Sequence, residues 1–149
     1  MQFDATQVIE ALHAEWRWIL PEISEVLAVS SMGNVCIVDN QQTYWRICPE
    51  ELSAEIIARS ASELDTWFAN PDVKADWQMS GMVSEMIELY GKPELGECFG
   101  LVIPGVLGGK YSSENTRRRS LYEYLRFTGD LARQIKDLKD GETIQFRVF

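Results

Sequence analysis

Residues 26–47, VLAVSSMGNVCIVDNQQTYWRI, decide the fold. Leu27, Val29, Val35, Ile37, Val38, Tyr44, Trp45 and Ile47 are residue types that favour a pleated, half-buried surface. Met32-Gly33-Asn34 and Asp39-Asn40-Gln41-Gln42 interrupt them with turn chemistry. The pattern predicts a meander of about three short antiparallel strands, and such a sheet needs at least one face covered.

The flanking segments supply the cover. Upstream, Asp4 can cap a helix, Gln7 can return the bond, and Phe3 with Val8 forms a staple. Val8, Leu12, Trp16 and Ile19 then recur at helical spacing up to Pro21. Downstream, Pro49 opens a short acidic helical stretch with Glu50, Glu51 and Glu55 on it and Leu52, Ile56 and Ile57 to bury. Ser60 and Glu63 form a capping box for a helix carrying Leu64, Trp67 and Phe68, closed by Asn70-Pro71. Met79, Met82, Val83, Met86, Ile87 and Tyr90 have the sharpest helical period, ended by Gly91. Residues 97–107, ECFGLVIPGVL, are strand-like, but Gly100, Pro104 and Gly105 break them into an edge strand, a bulge or a departing loop. Leu121, Tyr124, Leu125, Thr128, Ala132, Ile135 and Leu138 mark a long helix with Gly129 as its weak point. Asp140-Gly141 then turns the chain into a last strand, TIQFRVF. The expectation is a single α+β domain over residues 1–149, an antiparallel sheet of about five strands packed against four to five helices. Residues 1–25 contribute the N-terminal helix and 26–149 the rest.

Composition narrows the function classes. With 149 residues, 46% of them hydrophobic and 25% charged, the chain is long enough for one core and is not a disordered or collagenous type. No apolar run reaches the roughly 18 residues of a membrane span, and the first twenty residues carry no basic n-region or apolar h-region of a signal peptide. A cytoplasmic protein with no membrane contact is expected. The net charge of −9 is concentrated early: residues 1–70 hold 3 basic and 11 acidic residues, and residues 111–149 hold 8 and 6. Such a field repels phosphate backbones, which argues against direct nucleic-acid binding, and it can steer a basic protein partner.

Catalytic and metal motifs fail one by one. Cys36, Cys48 and Cys98 have no metal-ligand spacing and read as reduced, mostly buried thiols. His13 has no second histidine to complete a zinc pair and reads as a packed or half-exposed structural residue. Gly108-Gly109-Lys110 fails as a phosphate loop, since Pro104 stands where the first glycine is needed and Tyr111 where Ser or Thr is needed. A tight turn with glycines at positive φ explains it better. Arg117-Arg118-Arg119 lies near the start of the long helix, where cations are disfavoured, and reads as solvated or ion-paired. The Met79–Tyr90 stripe is either core or an adaptable binding groove, with core the better reading. Nothing here calls for a cofactor or a metal, and no enzyme is expected.

Several stretches together are similar to one family. They are GNVCIVD (Gly33 to Asp39), Tyr44-Trp45-Arg46-Ile47 with Cys48-Pro49-Glu50, Asp76-Trp77, and Gly96-Glu97-Cys98-Phe99. They continue with Ile103-Pro104, VLGGKY (Val106 to Tyr111) with Glu114-Asn115, and GDLARQIKDL (Gly129 to Leu138) with Asp140-Gly141. Over residues 26–149 the chain resembles the C-terminal domain family of type VI secretion immunity proteins, those paired with DNase effectors. Longer members carry an additional N-terminal domain, whereas here one helix precedes the family-like region. The resemblance implies a non-enzymatic protein that binds a cognate effector and blocks it. Charge then nominates Glu50, Glu51, Glu55, Asp72 and Asp76 as partner contacts, with the Gly108, Gly109, Lys110, Tyr111 turn as a second surface. The alternative is a protein- or peptide-binding module with no toxin partner, and the oligomeric state is left open.

Overall fold

The structure, a computed structural model, describes residues 1–138. In chain order the elements are α1 (Ala5–Glu15), β1 (Ile23–Val29), β2 (Val35–Asp39), β3 (Tyr44–Cys48), β4 (Ser53–Ala58), α2 (Ala61–Ala69), α3 (Pro71–Gln78), α4 (Ser80–Tyr90), β5 (Glu97–Leu101), β6 (Thr116–Ser120) and α5 (Leu121–Ile135). Single 3₁₀ turns lie at Pro49–Glu51, Gly105–Leu107 and Ser113–Asn115. The expected last strand, TIQFRVF, lies outside the described residues.

The α+β class holds. Strands β1-β2-β3-β4 form an antiparallel sheet in sequence order, and β5 with β6 forms a separate antiparallel ribbon. The meander read from residues 26–47 is β1 to β3. All five residues of β2 are buried, so this inner strand is covered on both faces, whereas β1 buries only Ile23, Val26 and Val29 across its register irregularities.

The cover comes from α1 and α5. Asp4 caps α1 by accepting from the Gln7 N–H at 3.2 Å, and Val8, Ala11, Leu12 and Trp16 enter the main core with Leu121, Tyr124, Leu125, Leu131 and Ala132 of α5. The two helices meet at Gly129, where an added Cβ would lie 2.6 Å from Trp16 Cδ1 and 2.9 Å from the Glu15 carbonyl oxygen. The Trp16 indole N–H donates to the Leu125 carbonyl at 2.8 Å and that of Trp18 to the Gly129 carbonyl at 3.2 Å. Gly129 therefore sits where two backbones approach, which outweighs its low helix propensity.

Two local expectations are revised and a third is extended. The stretch after Pro49 makes one 3₁₀ turn and then β4: Leu52 adopts φ 52°, which ends the turn and swings Ser53 into register with Cys48. The arginine run does not begin a helix. Arg117 to Arg119 lie in β6 opposite Gly100, Phe99 and Cys98, and the helix starts after Ser120, whose Oγ accepts from the Glu123 N–H at 3.2 Å. Asn70-Pro71 both closes α2 and opens α3, because Asn70 Oδ1 accepts from the Asp72 N–H at 2.9 Å and Pro71 needs no donor at its own position.

The methionine stripe packs on the core except at Ile87, which is exposed. Met86 is fully buried, and Met79, Met82, Val83 and Tyr90 pack with it on Met32, Phe99 and Leu101. In contrast, α2 and α3 contain no buried residue. They form an arm resting on the edge of the sheet.

Candidate functional site

Beside this arm lies a cleft of about 430 Å³. The register of the sheet builds its floor. Arg46 stands opposite Glu55 and Cys48 opposite Ser53 in the β3–β4 pairing, and directly opposed residues share one face. The 3₁₀ turn adds Glu50 and Glu51, α3 brings Asp76, and Tyr111 comes from the loop after β5.

Arg46 organises the site. Its Nε donates to Asn34 Oδ1 at 2.9 Å and its Nη1 lies 2.7 Å from Asp76 Oδ2. Its guanidinium carbon is 5.9 Å from the Trp67 ring centroid and 5.6 Å from that of Trp77, so the arm's aromatic residues rest on a cation from the sheet. Phe68 joins them through edge-on contacts with both indoles. Behind Arg46, Asn34 Nδ2 donates to both Glu50 carboxylate oxygens at 2.9 and 2.8 Å.

Burial sets the protonation chemistry. Glu50 is 1% exposed. Desolvation raises its carboxyl above the usual range, against the opposing pull of the Asn34 bond and the Arg46 charge. Burial, with the Glu50 charge in support, likewise raises the Cys48 thiol. Cys48 is thus held as a protonated thiol, a poor nucleophile. Tyr111 donates its hydroxyl to Glu51 Oε1, and partial desolvation of that hydroxyl, with the bond, raises its pKa. The chain's single histidine is on α1, so this cleft contains no imidazole base. Among the described residues no group of three or more potential metal-ligating side chains gathers. What the arrangement offers is an acidic surface with one cation already engaged.

The nominated residues separate. Glu51, Glu55, Asp76 and Tyr111 come together at the cleft, with Glu55 and Tyr111 exposed and the Asp76 side chain 57% exposed. Glu50 reaches the same cleft but is buried and bonded, so it supports the wall rather than presenting a free carboxylate. Asp72 lies exposed in the first turn of α3, outside the cleft lining. In the glycine turn, Gly108 has φ +92°, while Gly109 is required for space: the Ile103 carbonyl oxygen would be 1.8 Å from its Cβ. Lys110 is exposed.

Arg46, Asn34, Trp67 and Trp77 were missed as site residues. Arg46 carried a signal, being one of only 3 basic residues among the first seventy and two positions from Cys48 on a strand. Each arginine of the run has partners within the chain. Arg117 lies over the Tyr90 ring and donates to the Thr116 carbonyl at 2.7 Å, Arg118 pairs with Glu97 at 3.3 Å, and Arg119 stacks on Tyr124 at 4.5 Å. These contacts engage part of each guanidinium, and Arg117 and Arg118 remain exposed.

The fold and the site together define a small α+β scaffold with an acidic cleft on one face. Residues 58–132 match the family described as T6SS immunity protein Tdi1, C-terminal, and the chain belongs to that family of type VI secretion immunity proteins. The matched segment runs from the last residue of β4 into α5, and so includes the arm, Asp76 and the loop carrying Tyr111. Comparison with curated proteins gives no significant match. Among solved structures, the crystal structure of Atu4351 from Agrobacterium tumefaciens shares the fold, with a TM-score of 0.53 and 18% identity over 84% of this chain. The present chain spans 62% of that chain's length.

Proposed function

We propose that this protein neutralises a cognate effector, a nuclease in the first instance, by stoichiometric binding in the cytoplasm and without catalysis of its own. The acidic face around the cleft is the contact surface, with Glu51, Glu55 and Asp76 at its centre and Asp72 at its margin. The observation that carries this reading is the charge imbalance in the cleft: three at least partly exposed carboxylates meet a single guanidinium that is already bonded to Asn34 and Asp76. A nuclease must present cationic groups to bind its substrate, and an acidic face is complementary to them. Family membership supports the immunity role.

Co-purification of the tagged chain with the product of the neighbouring gene, at low and then moderate salt, tests the proposal. The expected result is an equimolar complex that weakens as salt rises, with Glu55→Lys slowing association by about ten-fold. No complex at either salt refutes it.

A further inference from the structure

The loop from Val102 to Tyr111 borders the acidic cleft and displays apolar side chains to solvent. Ile103 is 52% exposed and Val106 54%, and Val102 and Tyr111 are exposed as well. Scattered exposed apolar residues are ordinary, but these are held on a braced frame. Asn115 clamps the loop at both ends: its Oδ1 accepts from the Ile103 N–H at 3.0 Å, and its Nδ2 donates to the Ile103 and Lys110 carbonyls at 2.9 Å each. The Val102 N–H donates to the Asn115 carbonyl at 2.8 Å, and the Gly109 N–H crosses the loop to the Pro104 carbonyl at 3.0 Å. Pro104 is buried and Leu107 packs against the main core, so the loop is pinned from beneath while Ile103 and Val106 project.

That bracing removes conformational freedom before any partner arrives, which is how a short loop becomes an efficient anchor. Its position supplies the charge pattern. Gly105 packs against Glu51 and Tyr111, with Glu51 Oε1 2.4 Å from where its Cβ would be, so the apolar tip and the carboxylates form one continuous surface. Lys110 is the only cation within residues 102–111.

We infer that residues 102–111 are the apolar anchor of the effector interface, and that they dock a protein surface with an apolar centre bordered by lysine or arginine side chains. The carboxylates accelerate and orient encounter, while Ile103 and Val106 set the lifetime of the complex. This rests on the neutralisation reading above.

Binding kinetics against the purified product of the neighbouring gene, at low and moderate salt, test it. Ile103→Asp and Val106→Asp alter exposed side chains, and Val106→Ser is the milder companion; unchanged melting temperatures establish that each variant is folded. Each Asp substitution is expected to raise Kd about ten-fold or more, mainly through faster dissociation, while the uncharged Val106→Ser weakens binding with the salt dependence unchanged. Glu55→Gln is expected to reduce the salt dependence instead. Asn115→Ala weakens binding several-fold by loosening the loop. The inference is overturned if the loop variants stay within about two-fold of the parent, more decisively if Leu95→Asp, at an apolar side chain elsewhere that is 68% exposed, is what weakens the complex. It is also overturned if Val106→Asp abolishes self-association of this chain and leaves effector binding intact, since a second copy would then occupy the loop. A complete absence of complex refutes the neutralisation reading itself.

Discussion

Replacing Arg46 with methionine should release the α2–α3 arm from the sheet. Methionine retains an unbranched apolar stem and deletes the guanidinium. Three losses follow. Asn34, itself 1% exposed, keeps an Oδ1 with no donor, a cost of about 1–3 kcal/mol. The two ring contacts, at half-buried Trp67 and Trp77, contribute about 0.5–1 kcal/mol each. The bond to Asp76 contributes no more than about 1 kcal/mol, because that carboxylate is largely solvated. The buried amide decides the outcome, and a total near 3 kcal/mol lowers the melting temperature by about 6–12 °C for a chain of this size. Hydrogen exchange should locate the effect. Residues 61–78 have no buried side chain of their own, so their amides should lose protection before those of α5. Asp76→Asn alone should cost less than about 1 kcal/mol. A melting temperature within about 2 °C of the parent, or an arm as protected as before, would refute the assignment of Arg46 as the clasp.

Gly129→Ala tests the approach of α1 to α5. Helix propensity alone predicts a gain of about 1 kcal/mol, but overpacking against a Trp16 ring fixed by its indole bond costs about 1–3 kcal/mol and strains that bond, so urea unfolding should show a net loss. Two carboxylates give opposite pH slopes. Burial pushes Asp39 upward, yet bonds from the Thr43 N–H, the Trp45 indole and the Gln41 N–H outweigh it and hold the carboxyl below its usual value. Its stabilising contribution is therefore complete above the unfolded value and disappears as pH falls through the folded one, so Asp39→Asn should flatten the acid limb of a stability–pH curve. Glu50 is raised, so its contribution is complete at low pH and falls as pH rises through the unfolded carboxyl range; Glu50→Gln should therefore gain on the parent from about pH 4 upward. Burial pushes the Cys36 and Cys98 thiols up to about 12, and both should resist a disulfide-exchange reagent at pH 8 until the protein is denatured. Stoichiometric labelling of either in the native state would contradict that burial.

Elements whose partners are close in sequence were legible, while those shaped by distant partners were not. The β1–β3 meander, the capped start of α1, the Ser60 cap and the Gly91 stop all depend on contacts within a few residues. The segment after Pro49 was misread because Glu50, Glu51 and Glu55 suit a helix surface, whereas the edge offered by β3 and the left-handed Leu52 impose a strand. Glu50 was nominated as an exposed contact since nothing local reveals that Asn34, sixteen residues earlier, covers it. The charge of the cleft was visible in composition, but its geometry was not. Asp76 meets Arg46 only after the chain has passed through β4 and α2. The Met79–Tyr90 stripe shows the reverse case, where periodicity alone identified a buried face.

The indole bonds from Trp16 and Trp18 reach residues 109 and 111 positions further along. During synthesis the N-terminal helix leaves the ribosome long before the backbone that will receive those donors exists. The part of its apolar face that packs on α5 stays uncovered until that helix has emerged, so closure of the core is a late event with a large entropic cost. A fragment cut to the family-matched span, 58–132, would keep the carbonyl of Gly129 and lose the tryptophans that cap it. Such a fragment should express as an aggregating chain. The transferable unit in this fold is the circuit joining α1 to α5, whatever the limits of recognisable sequence similarity.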